Sequence, residues 1–198
     1  MGGYRLAAAC CLLAGAVACG AGATTREAAR ACPAGDVTVQ IDAEADALAG
    51  CSAVSGDLAV GPSFALHSLI GLARLERVAG RLDISDNLEL TGVYLPALLA
   101  VDGDLVIDDN RQVRAVSLHH LVEVGGDLVV RDGRELVRLD LGALRRVGGR
   151  LEVSGHPALD TVVLDRLERA GQLVVEDDPA WPAEDVERVR RRASASPR

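Results

Sequence analysis

The sequence predicts an all-β solenoid of about six short coils, and three observations carry that expectation. One nine-residue phrase recurs five times: "SAVSGDLAV" at 52–60, "ERVAGRLDI" at 76–84, "LAVDGDLVI" at 99–107, "VEVGGDLVV" at 122–130 and "RRVGGRLEV" at 145–153. Aligned on Leu58, Leu82, Leu105, Leu128, Leu151 and Leu173, the units step by 24, 23, 23, 23 and 22 residues. Within each unit the apolar residues keep fixed offsets, as in Leu105, Ile107, Val113, Val116, Leu118, Leu121 and Val124. Repeats of this length cannot bury their apolar side alone and must stack.

The spacing within a unit is L-x-[VI], then L-x-x-L-x-L-x-x-L-x-x-V. Period-2 pieces joined by turns read as short strands, whereas helical repeats need longer periods and helix-spaced apolar residues. Six such coils about 4.8 Å apart make a rod roughly 25–30 Å tall. The first unit carries one inserted residue. An incomplete opening unit runs from Val37 to Val54, and the sixth unit reaches Trp181 at the Leu90 position.

Two columns mark the corners. Asp86, Asp109, Asp132, Gly155 and Asp177, followed by Asn87, Asn110, Gly133, His156 and Asp178, are turn residues that bond local backbone or tolerate left-handed geometry. Gly56, Gly80, Gly103, Gly126, Gly149 and Gly171 mark the other corner, where a tight bend is expected before the next strand.

The N-terminus reads as an address. Arg5 precedes an apolar run from Leu6 to Ala18, the length of a signal-peptide core and too short for a spanning helix. It ends in Ala16-Val17-Ala18-Cys19, which resembles a bacterial lipobox, with Ala16 where Leu is usual. Residues 1–18 are thus expected to be a signal peptide, and 19–31 a lipidated Cys19 with a small polar tether. The alternative is ordinary cleavage near the same alanines. Gly20 is not the Asp that retains enteric lipoproteins at the inner membrane, so an outer-membrane-anchored position in the bacterial cell envelope is expected. Two acyl chains or more give stable attachment. Of the remaining cysteines, Cys32 and Cys51 are expected to pair in an oxidising compartment, the alternative being two free thiols.

The opening Cys51-x-x-Val54-x-Gly56-x-Leu58-x-Val60, with its repeats, resembles the receptor L domain, the β-helical module of insulin-receptor and epidermal-growth-factor-receptor ectodomains. The resemblance covers about 32–181. It implies a right-handed parallel β-helix that binds partners through a sheet face. Only one module is present, with no cysteine-rich domain and no kinase, and no ligand residue maps across. Residues 182–198 place Glu184 and Asp185 early and Arg188, Arg190, Arg191 and Arg192 late. That order suits a helix dipole, so a short capping helix and a basic tail are expected.

Composition narrows the function. The chain is 49% hydrophobic but only 2% aromatic, so its core is many small layers of Leu, Val and Ala. It has no lysine, which excludes Schiff-base chemistry on a side chain. Its net charge of −8 argues against nucleic acid. With Phe64, Tyr94 and Trp181 as the aromatics of 19–198, stacking platforms for carbohydrate are scarce. His67, His119, His120 and His156 do not converge in the coil alignment, so no catalytic residue, cofactor or metal is expected. Asp86, Asp109 and Asp132 would stand about 5 Å apart along the rod. Backbone turn capping is the expected role, and calcium, which takes such oxygens, is the alternative. Among outward strand positions, Val106 and Val129, with Arg131 beside them, form the candidate binding face, on the reading that they are exposed. The expected function is a non-enzymatic, lipid-anchored module that recognises an envelope or extracellular protein. The alternatives are a structural spacer and a β-helical polysaccharide-active enzyme.

Overall fold

The computed structural model describes residues 32–176 and 181–194, with side chains to 191. The expected signal peptide, Cys19 and tether, the column members Asp177 and Asp178, and the end of the tail lie outside the described residues. The chain forms a β-solenoid of about six coils, in this order: β1 (Val37–Ile41), α1 (Asp42–Ala47), β2 (Ala53–Val54), β3 (Leu58–Ala65), a 3-10 turn (Ile70–Leu72), β4 (Arg77–Val78), β5 (Leu82–Ser85), β6 (Gly92–Tyr94), β7 (Ala100–Val101), β8 (Leu105–Asp108), β9 (Ala115–Ser117), β10 (Glu123–Val124), β11 (Leu128–Arg131), β12 (Arg138–Asp140), β13 (Arg146–Ser154), β14 (Thr161–Val163), β15 (Arg169–Glu176) and α2 (Ala183–Ser194).

All strand pairs are parallel. β1-β3-β5-β8-β11-β13-β15 run side by side in a long sheet, joined through β13 to the two-residue strands β10-β7-β4-β2. β6, β9, β12 and β14 build a second sheet. The register matches the sequence alignment: Leu58 faces Leu82, then Leu105, Leu128, Leu151 and Leu173 in turn. Val37 precedes them opposite Leu58. The inward columns are buried through five coils, in a single cluster from Val39 to Leu167, with Val162 and Ala170 of the fifth coil only partly covered. At the sixth coil Leu173 and Val175 are only partly buried, and Trp181, Val186 and Val189 of the C-terminal segment join the same cluster. The expected cap is thus a helix packed on β15.

The glycine corner differs from expectation in its cause. None of Gly56, Gly80, Gly126 or Gly149 has a positive φ. Instead, a Cβ there would lie 2.0–2.3 Å from an Asp Oδ1 of the preceding coil. Those oxygens accept backbone N–H groups one coil on: Asp36 from Asp57 at 2.9 Å, Asp57 from Arg81 at 2.7 Å, Asp104 from Asp127 at 2.9 Å and Asp127 from Arg150 at 2.7 Å. Asp36, Asp57, Asp104 and Asp127 are therefore a set of inter-coil backbone clamps. Glycine is the residue that leaves room for them.

The N-terminal end is closed by an element the repeat alignment did not anticipate. α1 replaces a full opening coil. Its sequence, DAEADA, is rich in the best helix former and acidic in the first turn. Glu44 Oε2 accepts the Gln40 and Ile41 N–H groups, and Gly50, with φ +96°, follows its last turn. Ala45 and Leu48 are buried in the core. Gly71 lies so near that a Cβ would fall 2.0 Å from the Ala45 carbonyl. The expected Cys32–Cys51 disulfide is formed, with a Cα–Cα distance of 5.4 Å, and it encloses β1 and α1.

Candidate binding surfaces

At the turn after the long strands, Asp86, Asp109 and Asp132 have φ of 58°, 44° and 54°, and Gly155 has 76°. Aspartate serves here because it tolerates the left-handed region. The Asp109 carboxylate bonds the Arg111 guanidinium at 2.9 and 3.2 Å, which holds it below the usual carboxylate range. These residues, with Asp108 and Arg134, line a polar depression of about 410 Å³. Asp108 is itself paired with Arg131 at 2.6 Å. Among the described residues, no three His, Cys, Asp or Glu side chains are grouped to hold a metal ion.

Backbone bonding at this turn falls to the next column. Asn110 Nδ2 donates to the Ile84 carbonyl one coil back at 2.7 Å, and its Oδ1 accepts the Asn87 N–H at 3.2 Å. His156 reproduces both bonds two coils later. Its Nδ1 accepts the Gly133 N–H at 3.1 Å, and its Nε2 stands 3.0 Å from the Val130 carbonyl, to which it donates. The fully buried His156 is therefore an asparagine substitute in an internal ladder. Between the two motifs, Gly133 supplies no side chain. A cavity of about 10 Å³ lies there, lined by Ile107, Asn110, Val116, Gly133 and His156 among others.

The expected exposure of Val106 and Val129 is incorrect: they are 8% and 5% exposed. Both face outward, but longer side chains surround them. Their row on the sheet runs Asp83, Val106, Val129, Glu152. Arg81 pairs with Asp83 at 2.7 Å, Arg150 with Glu152 at 2.9 Å, and the exposed Arg131 with Asp108. Ion pairs between side chains two residues apart, or one coil apart, stand on one face of a pleated sheet. They close over the shorter valines.

Phe64 on β3 is exposed, but the apolar residues that line a depression lie where the 3-10 turn meets β6, the edge strand of the second sheet. Ile70 is 74% and Tyr94 is 55% exposed. With Ser68, Leu69, Ala73 and Pro96 they line a mostly apolar depression of about 270 Å³. Tyr94 lies over Gly92, where a Cβ would fall 2.2 Å from the ring. Along the outward column, Tyr94 is followed by Ser117, Asp140 and Val163. Beside it, His120 Nδ1 is 2.6 Å from the Pro96 carbonyl, and His119 Nδ1 is 3.1 Å from Ser117 Oγ. Sequence reasoning missed this patch, although Ile70 and Tyr94 occupy outward positions in neighbouring units.

The fold and these surfaces define a parallel β-solenoid capped by a helix at each end, with Arg–carboxylate pairs along its exterior and an apolar depression beside the edge strand of the second sheet. No family model matches the chain, and neither a curated protein nor a solved structure matches it.

Proposed function

We propose that the chain is a non-enzymatic recognition module of the bacterial cell envelope, of receptor L-domain type, held at a membrane through a lipidated Cys19. The observation that carries the recognition reading is the exposed pair Ile70 and Tyr94 around the apolar depression. Single exposed apolar residues are ordinary, whereas a contiguous lined patch marks a contact surface. Small-molecule sites usually enclose about 300–1,000 Å³. A hollow of about 270 Å³ suits one or two side chains of a protein partner. The Cys32–Cys51 disulfide supports export to an oxidising compartment. The Cys-x-x-Val-x-Gly-x-Leu opening and the lipobox-like "AVAC" support the two finer assignments.

The test is a saturable capture of envelope protein by the wild-type chain and by an Ile70→Asp variant. One partner that saturates with wild type and is lost with the variant supports recognition through this patch. No saturable partner supports a structural spacer. For the anchor, Cys19→Ser should abolish incorporation of labelled palmitate and release the chain from the membrane fraction.

A further inference from the structure

We propose that His119 and His120 form a two-imidazole site for a divalent transition ion of the copper(II) or nickel(II) class. The coil alignment shows no convergence of histidines, but the turn after β9 brings these two rings to a centroid distance of 4.3 Å, tilted by 51°. Both are exposed, and the residues either side of them are not. Leu118 and Leu121 are core residues, locked by the Leu118 N–H to the Asp140 carbonyl at 2.9 Å and the Leu121 N–H to the Leu118 carbonyl at 2.9 Å. The solenoid therefore holds the pair on a rigid rung.

Hydrogen bonding sets the rings up as ligands. The Pro96 carbonyl can only accept, so His120 Nδ1 carries the proton, and the neutral ring keeps its lone pair on Nε2. A carbonyl bonded to one ring nitrogen is the usual support of a metal-ligating histidine, since it fixes the tautomer and raises the basicity of the other nitrogen. His119 Nδ1 meets a hydroxyl, Ser117 Oγ, which accepts as readily as it donates and so can support the same tautomer. Imidazole nitrogen suits copper, nickel and zinc, with copper(II) bound most tightly in this series.

The fold itself does not need histidine here. The equivalent positions in neighbouring coils are Pro96-Ala97, Gly142-Ala143 and Asp165-Arg166. Two ligands leave the remaining coordination positions open to water or to a donor from another molecule.

The test is copper(II) titration of the full-length chain in detergent, followed by histidine ring NMR. The chain has four histidines, so location is read directly. Substoichiometric copper(II) should broaden the His119 and His120 signals while those of His67 and His156 persist. The control replaces the pair by the residues of the next coil, H119G/H120A, which the solenoid accommodates one rung away. It should weaken the strongest site by at least tenfold, and Ser117→Ala should weaken it less. Undiminished binding in H119G/H120A, or broadening of His67 at the same copper concentration, would overturn the proposal.

Discussion

Single residues in this solenoid are selected by the coil above or below more than by their own neighbours in sequence. The Asp–Gly clamp makes the point most simply. Removing the Asp104 carboxylate frees the Asp127 N–H, and adding a methyl at Gly126 expels the same carboxylate. Asp104→Ala should therefore cost about 1 kcal/mol, and Asp104→Asn less, because an amide oxygen still accepts. Gly126→Ala should cost about 1–3 kcal/mol. The two losses overlap, so the double variant should fall well short of their sum in denaturant titrations, a coupling that independent sites would not show. The internal ladder gives a second case. A Cβ at Gly133 would lie 2.9 Å from His156 Nδ1, so Gly133→Asn alone should destabilise by about 1–3 kcal/mol. His156→Asn alone should be mild, since Asn110 already makes both bonds at its own rung. Together they make the asparagine ladder continuous, and the double variant should recover to within about 1 kcal/mol of wild type.

Elements close the two ends, and the N-terminal end depends on both covalent and electrostatic ties. The Cys32–Cys51 bridge has a sequence separation of 19, and closing a loop of that size stabilises by about 3 kcal/mol in the chain-entropy model. Reduction or Cys51→Ser should lower the unfolding midpoint accordingly, with hydrogen exchange rising first in β1 and α1. Asp42, at the start of α1, accepts the His67 and Ser68 N–H groups at 2.8 and 3.1 Å and meets the His67 ring at 3.0 Å. The His67 N–H is the main cause holding its carboxyl below the usual value of 3.8. Glu123 is held down likewise by Arg146. For carboxylates depressed in the folded state, the stabilisation is present above the unfolded value and lost as pH falls through the folded one. The share of stability that these two carboxylates contribute should thus be constant above about pH 5 and decline below about pH 4. Asp42→Asn should shrink the acid-sensitive part assigned to α1.

At the scale of the molecule, the coil count, the parallel register and the C-terminal cap were legible because each unit copies the last. An offset shared by Leu58, Leu82, Leu105, Leu128, Leu151 and Leu173 is a direct record of stacking. The helix α1 was less legible, although its Ala-rich, acid-first sequence ending before Gly50 carries ordinary helix signals; an alignment built on the repeat looks past them. The candidate face was misread for a physical reason. Outward orientation follows from period 2, but exposure depends on the lengths of side chains in adjacent coils, and Val106 and Val129 lie low among arginines, aspartates and Glu152. The same comparison of lengths leaves Ile70 and Tyr94 standing proud, since Ser117 is the next residue in their column.

Recognition through the second sheet is the central claim, and site-specific photo-cross-linking in the intact envelope tests it most directly. A photoreactive residue at Tyr94 is compared with one at Arg131 on the long sheet. The expected result is one saturable adduct from position 94, absent when Ile70 is replaced by Asp, and none from position 131. A saturable adduct from position 131 alone would contradict the account.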